Sequence, residues 1–277
     1  MKKFLLAISA FALVFTSCDP TEIEEGSMGA SITAEQLQSR VTLTQTTAGQ
    51  NKFTFETNPS ITVQVLDQDG NILTTGTSGS IIGTPPLTGL IVRAINQDGS
   101  LVSFKNDVTV TEYVDVPAIY KHLFGPEYSN RTWVWDTEAS DGVWGNGGYM
   151  SNSGPGWWII QAADLDQQAI DKGYPDDTIE KGWMKFTLGG KKVEMSRGES
   201  GTISWDLSAI AMEGWDIGTL SFDGTTPLLG IQPNDGNSKE YNYHILVTDD
   251  DHLRLCAPEA GAGQGGTAWF WNFKVKK

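Results

Sequence analysis

The chain has 277 residues, with 34 acidic and 19 basic side chains and a formal net charge of -15. Binding to phosphate or anionic lipid needs clustered Lys and Arg, so this balance excludes nucleic acid and an anionic membrane surface as partners and leaves a neutral or cationic ligand. Two cysteines and three histidines, with no spacing such as HExxH, exclude a disulfide scaffold and a histidine-rich zinc site.

Lys2 and Lys3 precede an apolar run from Phe4 to Phe15, which has signal-peptide length and falls short of the roughly 20 residues that span a bilayer. The run ends in Phe15-Thr16-Ser17-Cys18, small residues before a cysteine, which resembles the lipobox of bacterial lipoproteins. That resemblance implies a signal peptide over 1–17 and lipid on Cys18. Several acyl chains, at roughly 0.8 kcal/mol per buried CH₂, hold such a protein stably on a membrane. Cys256 is then the one cysteine outside the anchor, and it reads as a small buried apolar residue. The acidic, unpatterned start of 18–30 reads as a flexible tether. It also resembles the export signal of Bacteroidetes lipoproteins, which implies an outer-membrane, cell-surface location.

From about Ser31 to Val114 the chain reads as short strands between polar turns. Phe53 and Phe55 share one face of an alternating run, and Ile61, Val63 and Val65 repeat the spacing. Asp69-Gly70 and Asp98-Gly99 mark hairpins, read as two-residue turns in which both central positions take positive φ. About seven strands here fit an immunoglobulin-like or PKD-like sandwich over 31–114. Asp67, Asp69 and Asn71 begin like a calcium loop, but Ser78 stands where the bidentate Glu belongs, so the segment is a turn. Pro117 and Gly125 bracket a short helix, Ala118 to Phe124, within a linker over 115–130.

All ten tryptophans fall in the remaining part, 131–277. Strands are expected at Thr132 to Asp136, Trp157 to Gln161, Trp183 to Leu188, Thr202 to Leu207, Thr219 to Phe222, Tyr241 to Thr248, Leu253 to Leu255 and Thr267 to Val275. Asp164 to Gly173 is the one helical stretch. Period-two sorting places Trp269, Trp271, Phe273 and Val275 in the core, as it does Ile203, Trp205 and Leu207, and Tyr241, Tyr243, Ile245 and Val247. It puts Trp183 on the wetter face, opposite Met184, Phe186 and Leu188. The whole is all-β, with an antiparallel jelly-roll-like sandwich expected in the second half. The segment from Tyr243 to Leu255 resembles the late hairpin of lipocalin-like domains, so a closed barrel is the alternative.

The stretch Asp136 to Trp158 sets Trp144, Tyr149, Trp157 and Trp158 among Gly, Asn and Ser and reads as a loop. Aromatic faces suit the C–H patches of sugars, and Asn146, Asp136 and Asp141 are the candidate hydrogen-bonding partners, with Trp183 as a further platform. A binding surface and a plug over one end of the domain both fit such a loop. The lipobox, Trp133-Val134-Trp135-Asp136, the Trp144 to Tyr149 segment and the ending Thr267 to Lys274 together resemble Bacteroidetes cell-surface lipoproteins with a PKD-like N-terminal domain. That resemblance implies a role in polysaccharide utilisation: non-catalytic binding of a poly- or oligosaccharide beside outer-membrane transport or enzyme partners. Two other functions stand against it. One is a glycoside hydrolase drawing a carboxylate pair from Asp136, Glu138, Asp141, Glu194, Glu199, Asp206 and Glu213. The other is an adhesion or assembly subunit. No cofactor is expected, and a calcium site at Asp249, Asp250 and Asp251 is weighed against a plain hairpin turn.

Overall fold

The computed structural model describes residues 31–277; the signal segment, Cys18 and the tether over 18–30 lie outside the described residues. The described chain opens on a helix that the strand reading passed over, α1 (Ala34–Arg40). The Thr33 hydroxyl accepts from Gln36 N while the Gln36 side chain accepts from Thr33 N, a capping box that starts the helix, and Leu37 anchors it fully buried.

Seven strands follow: β1 (Val41–Gln45), β2 (Lys52–Thr57), β3 (Val63–Asp67), β4 (Ile72–Gly76), β5 (Ser78–Ile82), β6 (Gly89–Ile95) and β7 (Leu101–Asp107). They form two antiparallel sheets, ordered β1-β2-β5 and β4-β3-β6-β7. Phe53, Phe55 and Ile81 from the first sheet meet Val63, Val65, Leu90 and Val92 from the second in one core. The Asp-Gly hairpins are longer than two residues. Gly70 and Gly99 carry positive φ but Asp69 and Asp98 do not, and Gly70 N and Gly99 N donate back to Asp67 O and Asn96 O. Each turn is therefore built around a three-residue step back with glycine in the left-handed position. Asp67 accepts from Asp69 N, Asn71 N and the Asn71 amide, so the calcium-like triplet is bound up in its own turn.

The helix α2 (Ala118–Phe124) lies between Pro117 and Gly125, and its Ile119, Leu123 and Phe124 join the second core. After it come β8 (Asn130–Trp135), β9 (Trp144–Gly148), β10 (Trp158–Ile160), α3 (Ala162–Asp171), β11 (Met184–Thr187), β12 (Lys192–Met195) and β13 (Ser200–Asp206). The chain ends with β14 (Thr219–Asp223), the small pair β15 (Ile231–Gln232) and β16 (Ser238–Lys239), then β17 (Asn242–Thr248), β18 (His252–Pro258) and β19 (Thr267–Val275).

Strands β8, β11, β12, β13, β14, β17, β18 and β19 pair antiparallel in chain order, and β19 pairs back onto β8. This is a closed eight-stranded up-and-down barrel, the lipocalin-like alternative, and not the jelly roll. Short connections decide it. A four-residue link joins β11 to β12 and a three-residue turn joins β17 to β18, so each strand has little choice but to pair with its successor, whereas a jelly roll needs crossings between sheets. An eight-stranded barrel is just wide enough for side chains to fill. Trp133, Trp135, Phe186, Phe222, Tyr243, Trp271 and Phe273 do so. The alternation assigned to 241–248 fails at both ends: Tyr243 and Ile245 are buried, but Val247 lies past a bulge that follows Ile245 and Tyr241 precedes β17, so both are exposed, as is Leu207, expected in the core but past the end of β13. Asp249 Oδ1 accepts from Asp251 N and His252 N within the β17–β18 turn, Asp250 pairs with Lys121, and Asp251 faces Lys277.

Candidate functional site

β8 ends at Trp135, the chain loops out, and β9 resumes along the other half of β19, with Trp144 opposite Trp271 and Asn146 opposite Trp269. Within the segment expected as a loop, Trp144–Gly148 is thus a paired strand, with β10 on its far side. Glycine is what permits this. A Cβ at Gly145 would stand 2.0 Å from Trp158 O, and one at Gly147 would stand 3.2 Å from Gly154 O, so only bare backbone lets the following loop cross β9 so closely.

The rings then separate by accessibility. Trp144 is fully buried, tilted against Trp269 at 5.0 Å and edge-on to Trp158 at 5.7 Å. It is core, which answers to the plug reading. Trp158, on the edge strand, is 37 % exposed and Trp157 is 58 % exposed, with Ile159 open beside them. A Cβ at Gly148 would meet the Trp157 ring at 3.3 Å, so the indole rests against a glycine on one side and solvent on the other. Lys172, which caps the end of α3, carries its ammonium 5.7 Å and 5.8 Å over the rings of Trp144 and Trp158. Burial pushes the Lys172 pKa down, against the pull of Asp171. Trp269, edge-on to Trp158 at 5.6 Å, donates its indole N–H to Glu259, and Asn234 donates to the same carboxylate oxygen.

The predicted polar partners hold the loop in place. Asn146 Oδ1 accepts from Trp158 N at 3.1 Å. Asp136 is buried and accepts from Glu138 N. Asp141 pairs with Arg254 at 2.9 Å, and Arg254 also donates to Ser153 O, tying the loop to β18. Tyr149 Oη lies 3.0 Å from His244 Nε2, whose Nδ1 lies 2.9 Å from Asp216 Oδ2, and Asp216 accepts from Ala211 N and Met212 N. Trp215 packs on Tyr149 and donates its indole N–H to Asn152 O. These contacts pin the loop that carries Trp157 to the outer wall of the barrel.

Trp183 stands elsewhere. Register extended by one residue from Met184–Trp133 sets it beside Val134, on the outer wall near a groove of about 520 Å³ lined by Val134, Glu138, Ile179, Glu180, His252 and Lys274. Lys274 is paired there with Glu138. Of the carboxylates in the hydrolase reading, Asp136, Glu138 and Asp141 stay on one loop, where Asp141 is tied to Arg254 and Glu138 to Lys274, while Glu194 faces Lys185, Glu199 pairs with Arg197 and Lys239, Asp206 accepts from Ser208, and Glu213 is exposed.

Of the predicted set the structure therefore brings Trp158 together with Trp144 and Asn146, leaves Trp157 open next to it in the chain, and adds Lys172, Glu259 and Asn234, which sequence reasoning missed. Lys172 carried one available signal, its place at the end of the predicted helix, just before Gly173. No protein-family model matches the chain, and no curated protein matches it.

Proposed function

We propose that this protein is a non-catalytic, lipid-anchored binder of extracellular glycan, with Trp157 and Trp158 as its contact surface. The observation that carries the reading is that two adjacent indoles stay open to solvent on a segment held rigidly from below. Large apolar area left in water is unfavourable, and an immobilised loop loses little entropy on binding, so such a surface is prepared for a partner. Sugar rings match it, offering an apolar C–H face to the indole and hydroxyls to Lys172, Glu259 and Asn234 at the margin. Engagement of Asp141 by Arg254, Glu138 by Lys274 and Glu199 by Arg197 favours binding over hydrolysis. The N-terminal sandwich, read as PKD-like, acts as a spacer between lipid on Cys18 and the barrel, which suits capture at the outer membrane and hand-over to transport or enzyme partners.

Glycan arrays followed by calorimetry test the reading. The protein is expected to bind an oligosaccharide, and a Trp157→Ala, Trp158→Ala variant with an unchanged circular dichroism spectrum is expected to bind about tenfold or more weakly. No binding across the array, or unchanged binding by the variant, overturns it.

A further inference from the structure

Lys172 is held by aromatic rings and not by a carboxylate, as Lys191 is over Trp205, and of the two it is Lys172 whose rings border the exposed Trp157 and Trp158. Arg254 pairs with Asp141, Lys274 with Glu138, and Arg197 with Asp177 and Glu199, whereas Lys172 has no carboxylate within 4.0 Å among the described residues. Its ammonium is half-buried, held over the indoles of Trp144 and Trp158, with Trp158 itself part open and Trp157 next to it in the chain. Cation–π contact satisfies one side of the charge and leaves N–H donors on the other side, which an anion would take up in charge-assisted hydrogen bonds.

We infer that the aromatic surface selects glycans carrying carboxylates, that is, uronic-acid sugars, with the sugar's C–H face on the exposed indoles and its carboxylate at Lys172. The inference rests on the glycan-binding reading above and narrows it. It also qualifies the expectation from net charge. A charge of -15 repels anions in general. An acidic sugar is therefore held only where a local, partly desolvated cation compensates, and removing that cation turns preference into exclusion. A neutral sugar meets Lys172 as one hydroxyl partner among several and loses little without it.

The experiment pairs oligogalacturonate and oligomannuronate with their carboxyl-reduced counterparts, which keep the ring and linkage but not the charge. Calorimetry compares full-length wild type, Lys172→Gln and Lys172→Arg. At least one uronate is expected to bind wild type about tenfold more tightly than its reduced form, a difference of about 1.4 kcal/mol. Lys172→Gln is expected to bring uronate and reduced form to equal affinity, the uronate falling about tenfold and the reduced form, which loses one hydroxyl partner, at most a few-fold, and Lys172→Arg to retain the margin. Retained binding of the reduced form, with an unchanged circular dichroism spectrum, shows that Lys172→Gln leaves the platform folded. Equal binding of charged and reduced forms by wild type, or a margin indifferent to Lys172→Gln, overturns uronate selection and leaves glycan binding standing. Failure of either form to bind, together with a blank neutral-glycan array, overturns both.

Discussion

Trp144, Trp157 and Trp158 lie within fifteen residues of each other, yet the first is sealed in and the other two meet solvent. The difference is positional: Trp144 stands on a strand paired on both sides, under Trp269, whereas Trp158 stands on the edge strand and Trp157 just before it. The same loop covers Cys256, which is fully buried on the outer face of β18 with Tyr149 and Trp215 packed nearby. Burial, reinforced by Asp216, pushes the Cys256 thiol well above its ordinary value, so the reactive thiolate is scarce as well as inaccessible. Iodoacetamide at pH 8 is expected to leave Cys256 unmodified in the native protein and to label it fully in denaturant, read on the peptide that contains it by mass spectrometry. His244→Ala, which removes the link between Tyr149 and Asp216, is expected to raise the native labelling rate. Rapid labelling of the native wild type would show that the loop is not held down.

Among the elements, β9 sets the geometry of the whole aromatic end, and Gly145 is its critical position. Gly145 has φ of +151°, in the region that L side chains rarely adopt, and its missing Cβ makes room for Trp158 O. Gly145→Ala is expected to cost about 1–3 kcal/mol in backbone strain alone. It is also expected to push β10 off β9, so that glycan affinity falls while the barrel still folds. Retained affinity with an unchanged urea midpoint would count against this account of the strand. Composition hid β9 because a strand of glycines has no alternation to read, and the pairing comes from β19, far along the chain. The same limit explains β12, whose four residues, Lys192–Met195, are too short to carry a pattern although they form one stave of the barrel. The strand reading passed over α1 although its signal is local, the Thr33 to Gln36 capping box. The face of Trp183 was legible, since Met184, Phe186 and Leu188 are buried and Trp183 is not.

At the scale of the molecule, alternation identifies inward residues but not whether a sheet closes, because a sandwich and a barrel each bury one face of every strand. Closure shows only in the pairing of β19 with β8 and in what seals the ends. One end is covered by α2, where Tyr120 and Phe124 meet Trp205. The opposite end is sealed by polar groups: Arg197 reaches Asp177 at 2.7 Å, Glu199 at 3.0 Å and Thr226 O at 2.6 Å, while Trp135 donates to Asp177 O and Trp271 to Leu229 O. Removing the cation by Arg197→Ala leaves the Asp177 carboxylate buried without its partner and is expected to cost about 3–5 kcal/mol. The acid response of this seal has two opposing parts. Burial raises the Asp177 carboxyl even against Arg197, and a raised carboxyl favours the fold as pH falls. Burial also opposes ionisation of Glu199, but hydrogen bonds from Thr225, Arg197 and Lys239 outweigh it and hold that carboxyl down to about 2. Because the folded value lies below the ordinary value of 4.5, Glu199 stabilises the fold above about pH 4.5 and loses that contribution as pH falls toward 2. Comparing wild type with Glu199→Gln isolates this part, since Asp177 is present in both. The urea midpoint of wild type is expected to exceed that of Glu199→Gln at pH 7, with the gap closing steadily between pH 4.5 and 2. A gap that stays constant across this range would mean that Glu199 seals the barrel through packing and neutral hydrogen bonds, and that its charge contributes nothing to closing the end beside which the exposed tryptophans stand.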